Sequence, residues 1–441
     1  MLHFNDLKTI PSKLAEKIRS TSGLKDILKN SGWLFLDKAI RAVLGLLVGA
    51  WVARYLGPSQ YGELAYYIAL IAIFQSITSL GMDGIVVREI AKTPSQENVI
   101  LGTVFWMRLI TGCICWISIL IGFAIADPEN KQGIWILGIV GASLIFQIGD
   151  VVDLWFQGKS QNKRGVYAKL SAFLVANLIK VALVLLGADL MSFAIAVALE
   201  AALVALCMSV SYSFYPCKNR WHKNWALAKQ LFMESWPYLI SGVSIMIYMR
   251  IDQVMIKEML GEYELGLFTA ALPFVNIWNV VPVILCTVLL PYMSRQRVES
   301  PTLFYQYLSY LFRSFWLIAL GLVLLTNVFS DFLMINTYGH SYQEAIPILN
   351  IYVLTLIPVF LGVAQNIWII NEGASHLVLI QTSVGAVSSI VLNLIFLPIW
   401  GMQGAAIAAV ISYFVSAVAI NLIFSRKLFM LQMGFNLDRN S

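Results

Sequence analysis

Residues 98–124, NVILGTVFWMRLITGCICWISILIGFA, run for 27 positions with one charged side chain, Arg108. About 20 apolar residues in a helix cross the hydrocarbon core of a bilayer, so this stretch reads as a membrane-spanning helix. Arg108 stands about ten residues inside it. A cation at that depth costs about 2.5–3.5 kcal/mol on insertion scales, and is therefore expected to face protein or water rather than lipid.

The same pattern recurs along the 441 residues, at about 31–55, 64–86, 133–155, 165–187, 190–213, 234–257, 265–290, 305–329, 345–369, 376–397 and 402–425. With 98–124 this gives twelve segments. The breaks between them fall at turn formers such as Gly57-Pro58, Asp127-Pro128, Pro216, Pro301 and Pro398 to Gly401. Composition agrees: 59% of residues are apolar, 12% are charged, and mean hydropathy is +0.76. A soluble domain carries about a quarter charged residues. Half that share cannot cover a water-facing globule, which excludes an ordinary soluble enzyme, a nucleic-acid binder and a disordered chain. The fold class expected is an all-α polytopic membrane protein of about twelve transmembrane helices.

Lys and Arg orient the set. With the first residues inside, the inner segments hold twenty of them and the outer ones three, Arg54, Lys131 and Lys257. Cytoplasmic loops carry such an excess, so both termini are expected in the cytoplasm. The formal charge of +6 then belongs to the lipid-facing cytoplasmic surface. Residues 1–30 read as a basic amphipathic segment on an anionic leaflet, with Leu14, Ile18, Leu24 and Ile27 among Lys13, Lys17, Arg19, Lys25 and Lys29.

The chain also resembles itself at an offset of about 204 residues. Leu56-Gly57 before Gly62 is matched by Leu260-Gly261 before Gly266. That offset splits twelve segments into six and six, related by an axis along the membrane normal, one of the known transporter plans. The expected organisation is a first lobe at 31–215, a cytoplasmic linker at 216–233, a second lobe at 234–425 and a cytoplasmic tail at 426–441.

Seven cations lie inside the spans: Lys38, Arg41, Arg108, Lys169, Lys180, Arg250 and Arg313. The deep acids are Asp37, Glu200 and Asp252. Asp37 and Arg41 are four apart and can pair on one helix face, while Lys169 can snorkel to the inner surface. The surplus of cations describes a cavity that attracts anions. Arg41, Arg108, Lys169, Lys180, Arg250 and Arg313 are the expected substrate contacts. Asp37, Glu200 and Asp252 are candidates for ion coupling or charge pairing. The five cysteines and four histidines show no ligand spacing, so neither metal nor cofactor is expected. Gly158-Lys159-Ser160 imitates the end of a P-loop, but Asp153 stands where the motif needs glycine, and ATP is not an expected partner.

Several motifs resemble one family. They are Ala53 to Pro58 (ARYLGP) with Tyr61-Gly62, Gly84 to Ala91 (GIVVREIA), Asp153 to Gly158 (DLWFQG), Met249 to Met255 (MRIDQVM), Gly266 to Ala271, and Tyr338-Gly339 with Tyr342. In order and spacing they resemble the Wzx-type polysaccharide flippases of the multidrug/oligosaccharidyl-lipid/polysaccharide (MOP) exporter superfamily, over about residues 30–425. The resemblance implies two six-helix lobes around a central cavity in the bacterial inner membrane. It implies export of an undecaprenyl-pyrophosphate-linked oligosaccharide, with membrane lipids and polysaccharide polymerase machinery as partners and no nucleic acid. Two other readings stand beside it. A MATE-type antiporter of cationic drugs prefers an acidic, aromatic cavity. A membrane glycosyltransferase needs a long outer loop, and the longest here, 330–344, offers only Asp331, His340 and Glu344 for acid–base work.

Overall fold

The structure is a computed structural model that describes residues 22–215 and 220–434, with side chains described from residue 38 onward except at 39. The basic segment expected at 1–30 lies outside the described residues as far as residue 21. The side chain of Asp37, residues 216–219 of the linker and residues 435–441 of the tail lie outside them too. Among the described residues the chain is helical, with no strand, and ten runs are long and apolar enough to cross a membrane.

The first run, α1 (Ser22–Thr78), has 57 residues. A straight helix of that length would measure about 86 Å, nearly three bilayer cores. Gly57 breaks it with φ 73° and ψ 170°, and Pro58 follows. Glycine adopts that left-handed φ without a Cβ clash, and proline cannot donate to the preceding turn. The two limbs run in opposite directions. Arg41 of the first lies against Phe173, and the Tyr55 hydroxyl donates to the Ala188 carbonyl at 3.0 Å. In the second limb Tyr67 sits against Gly133, and the Thr78 hydroxyl donates to Gln147. The helix is therefore a hairpin.

After α1 come α2 (Asp83–Lys92), α3 (Glu97–Ala126), α4 (Lys131–Gly141), α5 (Asp150–Gly158), α6 (Asn162–Leu185) and α7 (Leu190–Ser213). The second half holds α8 (Trp225–Met259), α9 (Glu262–Trp278), α10 (Val280–Glu299), α11 (Pro301–Tyr338), α12 (Leu356–Glu372), α13 (His376–Phe414) and the short α14 (Arg426–Gln432). In α13, Gly401 takes φ 57° and ψ −140°, three residues after Pro398, so this run is broken as α1 is. The large apolar side chains Ile125, Leu178, Leu317 and Val328 point outward and are exposed, as a lipid-facing surface requires.

Several expected segments are interrupted in the structure, three of them as follows. Segment 64–86 is not continuous: Leu80 and Gly81 take positive φ of 57° and 64° and separate α1 from α2. Segment 133–155 is not one regular α-helix: between α4 and α5 it passes through a short α-helical turn at Ser143–Phe146 and a tighter 3-10 turn at Gln147–Gly149, called here the bend. Segment 265–290 breaks at Asn279, between Pro273 and Pro282, each of which lacks the N–H that an unbroken ladder uses. Pro237 does not interrupt α8.

The 204-residue offset reappears in the backbone. Gly57 and Gly261 both take positive φ, 73° and 124°. A Cβ on Gly62 would overlap the carbonyl oxygen of Glu262, and one on Gly266 would overlap that of Pro58. Since 58 and 262 differ by the same 204, the contact is reciprocal. Helix α9 crosses α1 there, at the end of the molecule that also holds Ala188 and Asn130. The main apolar core runs through this crossing and includes Ala53, Tyr67, Phe268 and Tyr342. A second core under α2, α3 and α5 includes Met82, Ile90, Leu101 and Phe156.

Candidate functional site

A cavity of about 450 Å³ lies between the second limb of α1, the bend from α4 to α5, and helices α6, α7 and α8. Its apolar wall includes Ile71, Val140 and Val197, and its polar groups are Gln75, Ser143, Gln147, Asp150, Lys180, Glu200 and Arg250. Few polar groups converging in an apolar concavity describe a ligand site. The bend contributes Ser143, Phe146 and Gln147 to the cavity lining. Gly149 lets it approach α7 closely, where a Cβ would come within 2.6 Å of the Ala205 Cα. Helices α6 and α7 form an antiparallel pair joined through the turn at Leu186 to Asp189, which brings Lys180 opposite Glu200.

The Lys180 Nζ donates to Glu200 Oε2 at 2.6 Å. Eleven residues earlier on α6, the Lys169 Nζ donates to Asp153 Oδ2 at 2.8 Å and lies 3.3 Å from Asp150 Oδ1. Arg250 reaches in from the second half, with Nη1 3.4 Å from Gln253 Oε1. The cavity wall thus carries two cations and two acids. Lys180 and Glu200 offset part of each other's desolvation cost, as do Asp150 and Lys169, while Arg250 has the neutral amide of Gln253 beside it. An anionic ligand must compete with Glu200 for Lys180.

Of the expected substrate contacts, Lys180 and Arg250 line the cavity, and Lys169 is tied to its wall through Asp150. The other three stand elsewhere. Arg41 lies with its guanidinium 5.0 Å from the Phe173 ring centre. Arg108 is 2% exposed, donating to Asp83 and, at 3.4 Å, to the Ser79 carbonyl, where it closes the break after α1. Arg313 donates through Nε to the Gly434 carbonyl at 3.0 Å and fastens the end of α14 to α11. Among the acids, Glu200 is in the cavity wall. Asp252 is 2% exposed and accepts from the Gln253 backbone at 2.8 Å, outside that wall. Asp150, Gln75 and Gln147 line the cavity without having been expected contacts; an amide inside an apolar run carries no charge signal. Among the described residues no group of metal-ligating side chains occurs.

The two halves touch on both sides of the cavity. On one side are the Gly62 and Gly266 crossings, the Tyr342 hydroxyl donating to the Ala53 carbonyl at 2.7 Å, and the Tyr66 hydroxyl donating to Glu258 at 2.6 Å. On the other side Gly81 meets the Leu239 backbone, and Arg88 pairs with Glu234 at 2.6 Å.

Comparison with known proteins extends these observations. A profile of the family described as "Polysaccharide biosynthesis protein" matches residues 27–296. The succinoglycan biosynthesis transport protein ExoT of Rhizobium meliloti (strain 1021) is 25% identical over 268 residues, 59% of this chain and 52% of that protein. The match thus spans about half of that relative's length. Among solved structures, an inward-facing multidrug resistance MATE family transporter of the MOP superfamily aligns with TM-score 0.70 and 17% identity, over 89% of this chain and 96% of its own. The lipid II flippase MurJ in an inward closed conformation aligns with TM-score 0.69 and 16% identity, over 92% and 90%. At these identities the likeness is one of fold.

Proposed function

The chain belongs to the polysaccharide biosynthesis protein family, and we propose that it is a flippase for a lipid-linked oligosaccharide. The cargo is an undecaprenyl-pyrophosphate-linked repeat unit moved from the cytoplasmic to the outer leaflet of a bacterial inner membrane. Two six-helix lobes, twelve passes and cytoplasmic termini belong to the same proposal. The observation that carries it is the charged cavity shared by both halves, lined by Lys180 of one and Arg250 of the other. A pyrophosphate head leaving water needs cations to replace its hydration shell. Lys180 supplies a point charge, and Arg250 a planar fork that matches phosphate oxygens. The isoprenoid tail stays in lipid while the head crosses by alternating access, the halves parting at one contact set and then the other.

The test is a deletion strain carrying Lys180→Ala or Arg250→Ala. Labelled lipid-linked oligosaccharide should stay in the inner leaflet, protected from reagents outside, while the variant protein reaches normal levels in the membrane. Normal export by both variants overturns the proposal. A drug antiporter is the second reading, favoured by the MATE fold likeness and by the acids Asp150 and Glu200 in the cavity wall. Drug resistance conferred on a sensitised host, without restored polysaccharide export, would establish it instead.

A further inference from the structure

A second concavity of about 630 Å³ opens on the outward face of the first half, between α6 and α7. On α6 it is lined by Arg164, Tyr167, Ala168 and Ser171, positions that share one helix face. Its small lining groups are Ala168, Ser171, Cys207 and Ser211, and Leu206, Val210 and Phe214 of α7 line it with apolar side chains. The Ser171 hydroxyl donates to the Ala168 carbonyl at 3.0 Å. No Asp or Glu is among the lining residues.

The groove has a charged mouth. Arg164 lies with its guanidinium 4.4 Å from the ring centre of Tyr215, and the Tyr215 hydroxyl donates to Gln161. Lys163 stacks over Tyr167 at 5.6 Å. Both cations are exposed and are steered by aromatic rings. An apolar slot of this kind with a fixed cationic rim complements an amphiphile that joins a hydrocarbon chain to a negative phosphate. A zwitterionic lipid would bring its own cation to the same rim.

We propose that this groove seats one anionic phospholipid, its phosphate at Arg164 and Lys163 and one acyl chain along α7. The site is separate from the charged cavity and does not depend on the transport reading.

The test uses the purified full chain, stripped of lipid in detergent. Phosphatidylglycerol or phosphatidylcholine of identical chains is added, and bound lipid is counted by native mass spectrometry. The parent should retain one phosphatidylglycerol in preference to phosphatidylcholine by about tenfold or more, given two rim cations. Lys163→Gln with Arg164→Gln should abolish the preference. Ser171→Phe, which puts a ring among the small side chains lining the groove, should lower retention of both lipids. Melting temperatures of the variants, expected within a few degrees of the parent, separate lost binding from lost folding. Equal selectivity in parent and double variant overturns the proposal. So does complete displacement of phosphatidylglycerol by equimolar undecaprenyl phosphate, which would make the groove a seat for a polyprenyl chain.

Discussion

Arg108 and Lys180 look alike in sequence, each a lone cation in an apolar run, yet the structure uses them differently. Arg108 is buried at a backbone break, holding the Ser79 carbonyl and Asp83. Arg108→Ala should therefore act on folding. Asp83 is exposed enough to be rehydrated, so the cost is mainly the orphaned carbonyl and lost packing, about 1–2 kcal/mol. A fall in melting temperature of the detergent-purified protein checks this, and unchanged melting would show that the bond to Ser79 carries no weight. Lys180 belongs to a pair in the cavity wall. Lys180→Ala alone leaves Glu200 without its cation, whereas Lys180→Ala with Glu200→Gln leaves no unpaired charge. The double variant should melt higher than the single one while both fail to export, and a double-mutant cycle reads that coupling. Depth in a hydrophobic segment was legible from the sequence and correctly said that these cations avoid lipid. What each one faces depends on which neighbour stands opposite, and spacing within one helix does not record that.

Gly62 and Gly266 set how closely α1 and α9 cross. Each lacks a Cβ where the other half's backbone would occupy its place, and small residues let membrane helices approach in this way. Gly62→Ala or Gly266→Ala should hold the two halves apart at this end. The melting temperature of the detergent-purified protein should fall by several degrees with either alanine, because the added Cβ meets backbone that cannot swing aside. Unchanged melting would mean that the glycines do not control the crossing. Here the sequence was informative because the repeat preserves its special positions: Gly57 and Gly261 keep positive φ, and Gly62 and Gly266 keep the contact. The break at Leu80-Gly81 was not legible, because its residues are ordinary within an apolar run. The break at Asn279 was, since Pro273 and Pro282 stand on either side of it inside one apolar run and each withdraws a donor from the helix ladder.

At the scale of the molecule, apolar content and period were enough to read an all-helical membrane fold, because lipid offers unpaired backbone no other partner. The cavity was only partly legible, since it is assembled from five helices and its lining mixes charges with uncharged amides. Sidedness can be argued from charge and tested directly. The end of the molecule built around Gly57, Asn130, Ala188 and Gly261 carries few cations. The opposite end gathers Arg88, Lys92, Lys159, Lys163, Arg164, Arg220 and Lys223. Moving so many cations across an energised membrane is opposed by its potential, at about 2.3 kcal/mol per charge for each 100 mV, whatever the cargo. In intact cells a membrane-impermeant maleimide should therefore label Asn130→Cys and leave Ser160→Cys unmodified, with Ser160→Cys reacting only after the membrane is opened. With six passes in each half, as proposed, both halves keep the same sidedness. A second reporter, Tyr263→Cys, should behave like Asn130→Cys, and Ser300→Cys like Ser160→Cys. Agreement of the first pair with disagreement of the second would mean an odd number of passes in one half. The parallel repeat would then be lost, and with it the alternating access proposed for this chain.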